Sequence, residues 1–202
     1  MATKYLGKTV DIHGGGLDLC FPHHECEIAQ AKPILDHNPY VRYWMHTAMV
    51  GYQGEKMSKS LGNLVMVDKL MDTYSPDALR LYLGSHHYRE AWSYSENDLK
   101  KFQELADSLS MAVRVESGKD APFNPTKYVS EFSESMENDL GTSGAVHALQ
   151  ELARGILKAG QGQHDVKEAQ EMLRKYSMVF GLTLGSGTPE DRVVKGWNAK
   201  KR

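Results

Sequence analysis

Gly54-Glu55-Lys56-Met57-Ser58-Lys59-Ser60-Leu61-Gly62-Asn63 alternates lysines and serines inside a loop bracketed by glycines. Lysine supplies a compact cation, serine a hydroxyl donor, and glycine a backbone that a ligand can approach closely. Together they suit the phosphates of a nucleoside triphosphate. Lys56, Ser58, Lys59 and Ser60 are the candidate residues for handling them.

The chain upstream of this loop reads as α/β. Thr9-Val10-Asp11-Ile12-His13 alternates β-branched and polar residues, as a short strand does. Gly14-Gly15-Gly16 then predicts a sharp turn, closed by the carboxylate of Asp18. Such a turn at the carboxyl edge of a parallel sheet offers N–H groups and one acid to the hydroxyls of a sugar. A helix is expected from Pro22 to Ala31, and a buried strand within Arg42 to Val50. On that helix His23 and Glu27 stand four residues apart and project to one side. An imidazole and a carboxylate so placed can share a zinc ion, which takes N, O and S donors in a tetrahedron. Pro22-His23-His24-Glu25-Cys26-Glu27 crowds five metal-competent side chains together. Cys20 and Cys26 also bracket His23 at three-residue spacings, so a local set of Cys20, His23, Cys26 and Glu27 is a second arrangement.

Downstream the pattern becomes helical. Ser75-Pro76-Asp77 opens a helix, with serine as cap, proline in the first turn and an acid at the positive end. Leu79, Leu81 and Leu83 make it apolar on more than one side. A second helix starts at Ser95, where Leu99, Phe102, Ala106, Leu109 and Val113 recur at spacings of three and four. Gly118, Pro122 and Pro125 mark a linker. Three more helices are predicted over 127–136, 142–158 and 165–180, with Gly181 ending the last. The expected organisation is a partial Rossmann-like unit over 1–84, a connecting helical segment over 85–120, a helical domain over 121–183 and a loose tail over 184–202.

The 202 residues are 41% apolar and 25% charged, with a net charge of −2. That balance excludes a bulk basic field, so any nucleic-acid contact must be a local patch. Lys100, Lys101, Arg114, Lys119 and Lys127 are candidates for one. Two cysteines make no disulfide framework, and neither a membrane span nor a signal-peptide core is present in the sequence. The expectation is a cytoplasmic, monomeric protein without membrane association.

Several motifs in the right order resemble cysteinyl-tRNA synthetase, a class I synthetase family. They are Asp11 to Asp18, Phe21 to Gln30, Tyr43 to Val50, Lys-Met-Ser-Lys-Ser at 56–60, Ser75 to Arg80 and Tyr94 to Glu96. The resemblance implies the C-terminal half of a Rossmann-like catalytic domain followed by an all-α bundle. It implies ATP (with Mg2+), cysteine and tRNA(Cys) as substrates and Zn2+ as cofactor. Lys59 then meets the triphosphate, with Lys56, Ser58 and Ser60 supporting the loop. His13, Gly14, Gly15, Gly16, Asp18, His46, Met49 and Val50 line the nucleotide pocket, and His23 and Glu27 hold zinc.

The family's two further zinc cysteines and its His-Ile-Gly-His element do not occur in these residues. Thr142-Ser143-Gly144 departs from the family's Thr-Pro pattern. The expectation is therefore an N-terminally truncated cysteine–tRNA ligase, inactive alone. Two alternatives remain open: a cysteine ligase of mycothiol synthesis, and a non-catalytic module that binds tRNA or a partner.

Overall fold

The computed structural model describes residues 2–33, 35, 40–57 and 61–184. They divide into two compact units, one of 1–64 with 88–94, the other of 65–87 with the residues from 95 onward. The architecture is α/β followed by helices, as the sequence predicts.

In the first unit, helix α1 (Ala2–Leu6) precedes strand β1 (Val10–Gly16). Helix α2 (Glu25–Ala31) follows two irregular turns, and strand β2 (Val41–Thr47) pairs with β1 in parallel. The three glycines are therefore strand, not turn: Gly14, Gly15 and Gly16 register with Met45, His46 and Thr47. A parallel ladder satisfies their backbone groups, and their small size serves close approach instead. A Cβ on Gly15 would lie 3.0 Å from the His24 ring. α2 also starts later than predicted, because Phe21 has extended dihedrals just before Pro22.

Ile12 and Tyr43 are register partners in this pair and are 66% and 71% exposed. Parallel sheets are ordinarily covered on both faces.

Strand β3 (Val50–Tyr52) forms a hairpin with β4 (Glu55–Lys56). Gln53 and Gly54 turn it with φ of 53° and 85°, the left-handed conformation that two-residue hairpins require. The Lys/Ser loop is thus launched from a hairpin that the sequence reading did not anticipate.

The second unit contains α3 (Val67–Leu70), α4 (Pro76–Gly84), α5 (Glu96–Ala112), α6 (Thr126–Glu137), α7 (Thr142–Gln161) and α8 (Lys167–Ser177). Strand β5 (Trp92–Ser93) lies between α4 and α5 in sequence but belongs to the first unit, where it pairs in parallel with β3. Ser75 Oγ accepts from Ala78 N at 3.2 Å, as the cap predicted there requires, and Ser95 Oγ caps α5 by accepting from Asp98 N at 3.2 Å. Leu81, Leu99, Leu109, Leu149, Leu152, Ile156 and Leu173 are fully buried. Leu83 is 57% exposed, contrary to the expectation for α4, whose buried residues are Asp77 to Leu79 with Leu81 and Tyr82. At Gly144 a Cβ would lie 2.6 Å from Ser135 Oγ, so glycine lets α7 approach α6. Gly181 ends the last helical turn at φ 67°, as expected.

Ser117 and Asp165 pin the linker to the start of α8. Ser117 Oγ donates to Asp165 Oδ1 at 2.7 Å and accepts from Val166 N at 2.9 Å, and Lys167 N donates to the same carboxylate oxygen at 3.1 Å. The Ser117 bond, then the Lys167 amide, hold the Asp165 carboxyl below its usual range. A depressed carboxylate stabilises the fold above its unfolded pKa and loses that contribution as pH falls through the folded value. The Val166 and Lys167 amide resonances should therefore hold steady down to about pH 4 and move only below it. Asp165→Asn should abolish that titration. Movement already complete by pH 5 would contradict the geometry.

Candidate functional site

Parallel register fixes the site. His13 aligns with Trp44 across β1–β2, and their rings stack at 4.9 Å between centroids. His46 Nε2 lies 2.7 Å from Nδ1 of His24, which is 3% exposed. Burial, then the neighbouring His13 and His46, hold the His24 imidazole below its ordinary pKa, so it is neutral at pH 7. One nitrogen of the His24–His46 pair donates and the other accepts, which two neutral rings can do.

Glu27 joins this group from α2. Its Oε2 lies 3.3 Å from His13 Nε2, and its Oε1 lies 3.6 Å from His23 Nε2. Glu27 Oε2 is buried with no hydrogen-bond partner among the described residues. The potential ligand atoms of His13, His24 and Glu27 all lie within 4.8 Å of one another. Two imidazoles and an orphaned carboxylate oxygen form a donor set that fits zinc. His23 flanks this set through Glu27 and is itself exposed. Cys20 and Cys26 are exposed free thiols, and neither belongs to the grouped ligand atoms.

The nucleotide-side residues meet at the end of β1. A Cβ on Gly16 would lie 2.6 Å from Asp18 Oδ1 and 3.5 Å from the Met49 sulfur. Only glycine leaves that space open. Val50 O accepts from Met57 N at 3.4 Å, tying the hairpin base to the start of the Lys/Ser loop. Gly51 is crowded to a lesser degree, since a Cβ there would sit 3.0 Å from Ser93 Oγ. The backbone of Lys56 lies in β4, whereas Ser58, Lys59 and Ser60 lie outside the described residues. Two organising residues were given no site role by sequence reasoning: His24, counted only among the metal-competent side chains of 22–27, and Trp44, read only as part of a strand. The parallel register brings them together with His13 and His46.

The basic residues named from sequence form no such constellation. Lys101 pairs with Asp98 at 2.7 Å, Lys127 with Glu131 at 3.7 Å, and Arg114 Nε donates to Ser110 O at 2.9 Å. No helix among the described residues is long and apolar enough to cross a membrane.

The profile of the tRNA synthetase class I (C) catalytic domain matches residues 1–104, and that of the DALR domain matches 131–185. A protein named cysteine–tRNA ligase from Dehalococcoides mccartyi is 37% identical over 187 residues, covering 91% of this chain and 41% of its own length. Another of that name from Alkalilimnicola ehrlichii is 40% identical over 202 residues, covering 98% and 43%. This chain thus spans about two fifths of the length of these relatives. A solved LeuRS from Agrobacterium radiobacter, in a ternary complex with tRNA and LeuAMS, superposes with a TM-score of 0.64 at 16% identity. It covers 84% of this chain and 26% of its own.

Proposed function

This chain belongs to the class I (C) tRNA synthetase family, and from that membership we propose that it carries the activation chemistry of a cysteine–tRNA ligase. In that reaction the carboxylate of cysteine attacks the α-phosphorus of ATP. Cysteinyl-adenylate forms and pyrophosphate leaves with Mg2+. The cysteinyl group then passes to a terminal ribose hydroxyl of tRNA(Cys), releasing AMP.

The observation that carries the reading is the β1–β2 register. It sets the histidine–glutamate group and the Gly16–Asp18–Met49 group along one parallel pair. In this reading Asp18 accepts from the ribose hydroxyls over Gly16. Backbone at Met49 and Val50 meets adenine, while His13, Gly14, Gly15 and His46 line the wall. Lys59 neutralises charge on the triphosphate, with Lys56, Ser58 and Ser60 supporting it. Glu27, with His23 beside it and His13 and His24 behind, would hold zinc. A bound zinc ion would supply a soft acid for the substrate thiolate, favouring cysteine over serine. Neutral His24 keeps a second positive charge away from that centre. The helical match over 131–185 supports tRNA as acceptor rather than an amino sugar. A cytoplasmic, monomeric enzyme is part of the same reading.

Exposed Ile12 and Tyr43 support a further element of it: the catalytic unit works against additional polypeptide that covers this sheet face. The test is ATP–pyrophosphate exchange with zinc and Mg2+ present. Cysteine, and not serine, should support exchange once the remaining portion of a relative is added in trans. The chain alone should show none. Absence of cysteine-dependent exchange in the complemented mixture, with both parts folded and associated, would overturn the proposal.

A further inference from the structure

Trp44 has no role in the activation chemistry proposed above, yet its indole meets three imidazoles of the site. Trp44 and His13 are register partners across β1–β2, so their side chains leave the same face of the pair. Their rings stack with centroids 4.9 Å apart and planes inclined by 29°. His46, two residues further along β2, shares that face. Its ring runs parallel to the indole, with planes 2° apart and centroids separated by 6.4 Å. The His24 ring reaches in over Gly15 and stands 5.0 Å from the indole.

The indole offers one N–H donor, no lone pair for a metal and no titrating group. Its contribution to this cluster is therefore to hold other rings. That matters because an imidazole nitrogen gives its lone pair in the plane of the ring, so the plane decides where a bound cation can sit. Metal-binding histidines are ordinarily oriented by a hydrogen bond to their second nitrogen. His24 has one, with its Nδ1 2.7 Å from His46 Nε2, which leaves Nε2 of His24 as the atom available to a ligand. His13 has none among the described residues. Its ring lies between the indole face and Glu27, whose Oε2 is 3.3 Å from His13 Nε2. The stack sets the plane, and the carboxylate selects the nitrogen that faces it.

We propose that Trp44 is the positioning residue of the His13–His24–Glu27 group. Its indole holds the His13 imidazole by stacking, and the His24 imidazole both by contact and through His46, so that both turn their nitrogens to one cation with Glu27. This role rests on the zinc reading above. Three protein ligands suffice for a zinc ion that keeps an open position, so the chain can be tested as it stands. What the contact needs is a flat face: phenylalanine supplies one, whereas leucine supplies only bulk.

The test is the affinity of the full chain for Zn2+ alone at neutral pH, measured by competition with a chromophoric chelator. The parent should bind a single equivalent, and Glu27→Gln should lose it. Trp44→Ala and Trp44→Leu should each weaken binding about 10- to 100-fold, the cost of losing a residue that orients a metal-binding histidine. Trp44→Phe should stay within about 3-fold of the parent, because a second aromatic face takes the stack. With Co2+ in place of zinc, the visible bands of Trp44→Phe should match the parent and those of Trp44→Leu should shift. Amide spectra report whether each variant is folded. Parental affinity in folded Trp44→Ala or Trp44→Leu, or Trp44→Phe as weak as Trp44→Leu, would overturn the proposal and leave the zinc reading standing. A parent that binds no zinc, or a Glu27→Gln variant that binds it as well as the parent, would overturn the zinc reading and this role with it.

Discussion

Lys59→Ala is expected to slow cysteine-dependent pyrophosphate exchange in the complemented assay by about 10²- to 10³-fold. The argument is electrostatic. Negative charge shifts onto the leaving pyrophosphate as the α-phosphorus is attacked, and a cation positioned before the reaction stabilises that state without reorganising. Loss of one such preorganised donor costs about 3–4 kcal/mol in comparable sites. The KM for cysteine should change little, because in the proposed reading the ammonium serves the triphosphate and not the thiol. Lys59→Arg should recover part of the rate, since charge is kept while geometry changes. Ser58→Ala should have a smaller effect, a neutral donor being weaker than a charged one. Exchange at full rate in Lys59→Ala would remove this loop from the chemistry.

The second large effect concerns Asp77 and stability. Its side chain is 8% exposed. One oxygen accepts from Thr183 N at 3.0 Å, the other from Leu184 N at 2.9 Å, and both lie 3.3 Å from Thr183 Oγ1. Thr183 and Leu184, just beyond the last helical turn, are thereby clamped to the start of α4. Asp77→Ala strands two backbone donors in a partly buried place. Charged hydrogen bonds contribute about 1.5–3 kcal/mol each, and orphaned donors add a desolvation cost. A net loss of about 3 kcal/mol is expected. In a protein of this size that is a fall in Tm of about 6–12 °C, measured by calorimetry. Asp77→Asn retains one acceptor and should lose about half as much. A Tm within about 1 °C of the parent for Asp77→Ala would show that the clamp is not needed.

Asp77 also shows how local reading can find a residue and miss its partner. Ser75-Pro76-Asp77 announced a helix start, and α4 begins at Pro76. The acid was assigned to the positive helix end because that reason is visible within one turn. Its actual partners lie more than a hundred residues away. Periodicity located the five long helices well, since a buried stripe at three- and four-residue spacing constrains little else. The same rule overstated Leu83, which a short helix leaves outside its buried face.

Residue chemistry by itself determined the class of this protein. The order of the glycine, histidine and Lys/Ser motifs named the family, because side-chain type and spacing along the chain are local properties. Tertiary structure alone decided how they serve one another. It made the three glycines a strand that admits His24, joined His13 and His24 to Glu27, and put Asp18 beside Met49. Those juxtapositions arise from a parallel pairing between segments some thirty residues apart. Parallel register is set by the packing of what lies between two strands, and no pattern within either strand encodes it.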